Sequence, residues 1–153
     1  MTDAYEARLA GLGLKLPDAR PPVANYVPFR LAGGLLYISG QISLSAEGGV
    51  KGKLGAGLAV EEGVKAAEIA CLNILAQAKT ALGSFDRIAE AVRLTGYVNA
   101  APDFVDHPKV INGASDLLVA VLGEKGRHAR AAIGVSSLPL GAAVEVDAIF
   151  AVA

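Results

Sequence analysis

The run Val64-Lys65-Ala66-Ala67-Glu68-Ile69-Ala70-Cys71-Leu72-Asn73-Ile74-Leu75-Ala76-Gln77-Ala78-Lys79-Thr80-Ala81-Leu82-Gly83 organises this chain. Val64, Ala67, Cys71, Ile74, Leu75, Ala78 and Leu82 recur at spacings of three and four, while Glu61, Glu62, Lys65, Glu68, Gln77 and Lys79 mostly fall on the other faces. The spacing predicts one long amphipathic helix closed near Gly83. Upstream, residues 26–31 and 35–39 flank Ala32-Gly33-Gly34, which reads as a hairpin around a glycine turn. Pro28 has no N–H for a ladder and puts the first of these strands at an edge or bulge. Downstream, residues 91–99 set Val92, Leu94 and Val98 against Arg93, Thr95 and Tyr97, the pattern of a half-buried strand. Residues 112–122 form a second helix with Leu117, Leu118 and Val121 buried, stopped by Gly123 and Gly126. Residues 130–135, a Leu138-Pro139 turn and residues 144–152 return to strand. This order suggests helices collected on one face of a mixed sheet, an α+β fold.

Ahead of the hairpin, residues 2–13 read as a short helix with Tyr5, Leu9 and Leu12 along one side. Gly11 and Gly13, then Pro17, Pro21 and Pro22, stop it quickly, so residues 1–23 are expected as a peripheral arm on a domain of residues 24–153. The glycine-rich stretch 46–57, with Glu47, Lys51 and Lys53, has the composition of a mobile surface loop. No internal repeat or low-complexity tail interrupts the pattern.

A chain of 153 residues suits one domain. Its formal net charge of -1 supplies no global field for nucleic acid or an anionic membrane. Hydrophobic residues make up 53% and charged residues 19%, more apolar than a small monomer needs, so part of the surplus belongs at subunit interfaces. A membrane span is not the explanation: window 66–78 carries Glu68, Asn73 and Gln77, and window 117–122 is far too short. Cys71 stands alone, which forbids an intramolecular disulfide or a thiolate cage and fits a reducing compartment. The first eight residues include acidic ones and form no apolar core of a leader, so the expected address is cytoplasmic.

Several weak motifs can be set aside. Gly55-Ala56-Gly57-Leu58-Ala59-Val60 begins like a dinucleotide fingerprint but has Val60 in place of the third glycine. Gly48-Gly49-Val50-Lys51-Gly52-Lys53-Leu54 echoes a phosphate loop, with short spacing and Leu54 where the magnesium-binding hydroxyl belongs. His107 and His128 lack a second ligand at helical spacing, so no metal is expected. Cys71 lies on the apolar stripe and reads as a buried structural thiol.

Three segments together carry a resemblance: Tyr26 followed by Ser39-Gly40-Gln41-Ile42; Tyr97-Val98-Asn99 ahead of Asp103-Phe104; and Ala129-Arg130 through Leu138-Pro139 to Val144-Glu145-Val146-Asp147-Ala148. In this order and at these distances, over roughly residues 24–152, they resemble the Rid (reactive intermediate deaminase, YjgF-like) family. The resemblance implies a chorismate-mutase-like fold and a homotrimer packed sheet inward, with clefts between subunits. It also implies cofactor-free hydrolysis of 2-imino and 2-amino-enoic acids to 2-keto acids and ammonia. Such chemistry needs a cation for the substrate carboxylate, polar groups to steer water onto the imine carbon, and a dry cleft.

Arg130 is the candidate anchor, since a guanidinium grips a carboxylate through two parallel hydrogen bonds. Its residue type alone fits a structural ion pair with Glu145 or a rim charge equally well, and the resemblance selects the substrate role. The resemblance likewise implies that Glu145 positions water or stabilises the protonated intermediate, the competing reading being an outward-facing strand residue beside Asp147 and Ile149. It implies that Tyr26 lines the cleft, that a backbone N–H at Ser39 or Gly40 meets the ligand, and that the Ala132 carbonyl holds the water. Tyr26 also suits plain packing, and Gly40 a bulge. The chain departs from the family at His128, commonly proline, at Ala132, commonly cysteine or serine, and at Pro102, where many members carry asparagine. A non-catalytic module binding a small carboxylate is the alternative. An endoribonuclease is a third reading, disfavoured by charge and by few aromatics for stacking bases.

Overall fold

The computed structural model describes residues 3–22 and 24–153. Strands β1 (Phe29–Ala32), β2 (Leu35–Ile42), β5 (Ile88–Asn99), β6 (Ala129–Val135) and β7 (Val144–Val152) form one sheet in the order β1-β2-β7-β5-β6. β5 and β6 run parallel and the other neighbours antiparallel, the mixed sheet expected of an α+β chain. β1, just after Pro28, is an edge strand, where a missing N–H costs no ladder bond.

Helix α2 (Val60–Leu82) carries Glu61 and Glu62 at its positive end and stops at Gly83, whose φ of 78° only glycine adopts freely and whose N–H closes on the Lys79 carbonyl. It packs across β2 and β7, and its apolar stripe meets Leu36, Phe150 and Val146 in one core. The buried arc is wider than the stripe alone. Asn73 donates to the carbonyls of Ile42 and Leu44 at 3.0 and 2.9 Å. Gln77, expected on an outer face, is 1% exposed, because the chain after the first helix returns over it and the Arg20 carbonyl accepts its Nε2–H at 2.8 Å. That first helix, α1 (Ala4–Gly11), buries Leu9 and leaves Leu12 half exposed. Asp3 caps it in a capping box and also accepts from Ser84 Oγ and the Phe85 N–H, while Arg8 donates to the Val121 carbonyl.

Helix α3 (His107–Leu122) begins five residues before the apolar periodicity does, because Pro108 in its first turn presets the helical φ. Leu117, Leu118 and Val121 are buried as expected, and Gly123 ends it. The helix approaches α2 so closely that a Cβ on Gly113 would stand 2.2 Å from the Val64 carbonyl oxygen.

Two local expectations need correction. Val92 is exposed rather than buried, because β5 shifts register against β7 between Ala91 and Arg93 and so turns Val92 outward. The 46–57 stretch is not a free loop. It holds the short parallel strands β3 (Lys53–Leu54) and β4 (Gly57–Leu58), Leu54 is fully buried, and the Leu54 carbonyl accepts the Ala101 N–H at 2.9 Å. One large apolar side chain among small residues found a place in the core and tied its backbone down with it.

Candidate functional site in two half-sites

On β7, Val144, Val146, Ala148 and Phe150 point into the helix-covered core, so Glu145, Asp147 and Ile149 lie on the opposite, open face. Thr95 and Tyr97 of β5 stand across from Asp147 and Glu145. Tyr97 Oη donates to Asp147 Oδ2 at 3.0 Å. Burial, and then the neighbouring Asp147 charge, raise the Glu145 carboxyl above its ordinary range. Burial followed by the bond to Asp147 raises the Tyr97 phenol as well.

Glu145 lies beside Gly40. β2 shifts register against β7 between Ile38 and Gln41, so Ser39 and Gly40 form a bulge inside the strand. The Ser39 N–H is already donated to the Pro28 carbonyl at 2.9 Å, and Ser39 Oγ donates to the Val27 carbonyl at 2.7 Å. Gly40 has no cross-strand partner in register. Val27, Arg30, Tyr37, Ser39, Gly40 and Asp147 are among the residues lining a groove of about 320 Å³; Tyr26, which precedes Val27 in the chain, is not among them and is 50% exposed.

Arg130 belongs to a different place. Its side chain lies on the helix side of β6, where Nη1 donates to Asn112 Oδ1 at 2.8 Å and to Ser115 Oγ at 3.1 Å, both on α3. β5 separates β6 from β7, and Glu145 faces the other side of the sheet, so the two do not meet within one subunit. An ion pair between them is therefore not what holds Arg130 here, and among the described residues no carboxylate lies within 4.0 Å of its guanidinium. Ala132 follows on the same side of β6, partly buried against the core.

His128 completes this second cluster. Nδ1 lies 2.6 Å from the Gly126 carbonyl, which can only accept, so Nδ1 carries the hydrogen. In the neutral ring Nε2 is then an acceptor and takes the Ser115 hydroxyl at 2.8 Å, leaving the Ser115 oxygen free to accept from Arg130. A directional chain thus runs from Arg130 through Ser115 and His128 to a backbone carbonyl. Sequence reading did not single out Asn112 or Ser115. Their signal was present, since they stand three apart on one helix and flank its apolar stripe. Elsewhere, Cys71 is fully buried, and burial followed by the Glu68 charge pushes its thiol up, so it stays neutral and inert.

A five-stranded mixed sheet backed by α2 and α3, with its other face open, defines a chorismate-mutase-like α+β domain. The chain matches over residues 6–152 the family described as "YjgF/chorismate_mutase-like, putative endoribonuclease", and it belongs to that family. It is 48% identical over 145 residues to Protein TCP17 of Trypanosoma cruzi, covering 94% of this chain and 91% of that one. The crystal structure of Atu1372 from Agrobacterium tumefaciens, a protein of unknown function, is 48% identical with a TM-score of 0.92, over 97% of this chain and 92% of that one. RidA from the Antarctic bacterium Psychrobacter is 26% identical with a TM-score of 0.62, over 88% and 94% of the two chains. Among the described residues no helix is long and apolar enough to cross a membrane, and no three potential metal ligands gather.

Proposed function

We propose that the chain is a homotrimeric deaminase that hydrolyses 2-imino and 2-amino-enoic acids to 2-keto acids and ammonia in clefts between subunits. The observation that carries this reading is the state of Arg130. Its guanidinium is held by two neutral oxygens, no carboxylate among the described residues neutralises it, and its remaining N–H groups are available to a ligand carboxylate. The separation of Arg130 from Glu145 supports an intersubunit site. One chain holds the two on opposite faces of its sheet, and the half-exposed apolar residues Val27, Leu31, Tyr37 and Ile133 are suited to bury against another copy.

In this mechanism Arg130 of one subunit clamps the substrate carboxylate in the cleft that Glu145, Gly40 and Tyr26 of its neighbour line. The Ala132 carbonyl and Glu145 orient a water toward the imine carbon. Glu145, with its carboxyl raised by burial and by Asp147, holds a proton nearer neutrality than an ordinary glutamate and hands it to the nitrogen. Water adds to the C=N bond, the tetrahedral adduct expels ammonia, and the 2-keto acid leaves. The enamine form first takes a proton at carbon to become the imine. These steps use water and protons alone. The proposed setting is the cytoplasm, in keeping with a chain whose one cysteine is a buried free thiol.

The endoribonuclease reading has less behind it. A net charge of -1 gives no field for a polyanion, and both His128 ring nitrogens are already engaged.

The test is a coupled assay in which a pyridoxal-phosphate dehydratase generates the imine from serine or threonine while semicarbazide competes for it. Less trapped product and faster keto-acid release, both abolished in Arg130→Ala, are expected. Saturable keto-acid binding without turnover would make the chain a carboxylate-binding module instead.

A further inference from the structure

The Arg130 half-site holds more positive charge than a single carboxylate requires. Arg127, His128, Arg130, Ser115 and Val119 line one groove of about 260 Å³, and no acidic side chain is among them. Two arginines therefore line one depression. Arg130 is anchored by Asn112 and Ser115, whereas among the described residues the one side-chain partner of Arg127 is Glu124 at 3.2 Å, an exposed contact with side chains 70% and 85% accessible. A solvent-exposed pair of this kind is weak, so Arg127 is readily redirected toward a ligand. The exposed Asp116 lies one position past Ser115 on α3, about 100° round the helix, and does not line the groove.

His128 is not itself a free ligand here. Its two nitrogens are taken by Gly126 and Ser115, and its work is to orient the Ser115 hydroxyl so that the oxygen accepts from Arg130. Val119 adds an apolar side chain to the lining. The groove thus offers a rigid cation, a second cation on a movable stem and an apolar patch beside them.

The geometry points to a substrate with two carboxylates: a dicarboxylic 2-imino acid whose C1 carboxylate is held by Arg130 and whose distal carboxylate is held by Arg127. This rests on the deaminase reading for the role of Arg130 and adds the substrate class and a specificity-determining residue, Arg127. A charge-assisted hydrogen bond to a second carboxylate contributes about 1.5 kcal/mol or more, which corresponds to roughly tenfold in affinity.

The experiment is calorimetric titration of the full-length protein, and of Arg127→Gln, with 2-oxobutyrate and with 2-oxoglutarate at fixed ionic strength. Arg127 is exposed and lies outside the core, and circular dichroism with size-exclusion elution verifies that the variant keeps its fold and assembly. The expected result is that 2-oxoglutarate binds about tenfold tighter than 2-oxobutyrate, and that Arg127→Gln brings the ratio close to one. Equal affinities in the unaltered protein, or a preference that survives Arg127→Gln, overturn the second-carboxylate site while leaving Arg130 as an anchor. Absence of binding by either keto acid at millimolar concentration overturns the deaminase reading as well.

Discussion

Gly40 lies directly against the carboxyl group of Glu145. A Cβ on Gly40 would stand 3.0 Å from the Glu145 Cδ and 3.1 Å from Oε1. The bulge that carries Gly40 therefore sets where the Glu145 carboxyl, raised by burial and by Asp147, can rest.

Gly40→Ala should leave the fold intact and damage the chemistry. The atoms it meets are the far end of a flexible side chain, so Glu145 swings aside at a cost of about 1 kcal/mol or less. Displacing a group that orients water by a few tenths of an ångström should lower kcat/KM by about tenfold in the imine assay. An unchanged kcat/KM would remove Glu145 from the reaction.

Ser115→Ala tests the relay behind Arg130. It removes one of the two acceptors for the guanidinium and leaves His128 Nε2 without its donor. The expected loss in keto-acid affinity is a few-fold, corresponding to about 1 kcal/mol, against complete loss in Arg130→Ala. Titration calorimetry reads both.

Glu145→Gln should stabilise the protein at neutral pH. The Glu145 carboxyl is raised by burial and by Asp147 from an ordinary value of 4.5, so the folded state binds its proton more tightly than the unfolded state does. The stability this proton contributes is fully present below pH 4.5 and is lost as pH rises through the raised value. The glutamine variant, lacking that loss, should melt higher than the parent at pH 7 and close to it at pH 4. A parent that melts higher at pH 7 would mean that Glu145 is paired with a cation in the assembled protein.

Gly113→Ala should be among the most destabilising single-methyl additions. Its Cβ would meet backbone, the Val64 carbonyl oxygen at 2.2 Å, and α2 and α3 would have to move apart. The gain in helix propensity, about 1 kcal/mol, is smaller than the overpacking cost of 1–3 kcal/mol or more. A net loss of about 2 kcal/mol should appear as a lower urea midpoint with an unchanged slope.

Periodicity alone was enough for the elements that bury a regular face. The long helix, the strand of residues 144–152 and the α+β class follow from spacings of three and four or of two, because burial against a single core imposes those periods on the chain. The three segments, Tyr26 with Ser39 to Ile42, Tyr97 to Phe104, and Arg130 through Glu145, were enough for the family. Where tertiary contacts overrule local pattern, the sequence was silent. Gln77 went inside because a distant carbonyl was waiting for it, Leu54 drew a glycine-rich stretch into the core, and a bulge turned Val92 outward. The candidate site divides the same way. Arg130 and Glu145 could be named from residue type and resemblance, yet strand order and alternation put them on opposite faces of one sheet. Which face a side chain takes depends on register against neighbouring strands, and partners such as Asn112 and Ser115 arrive only when a helix folds back over the strand.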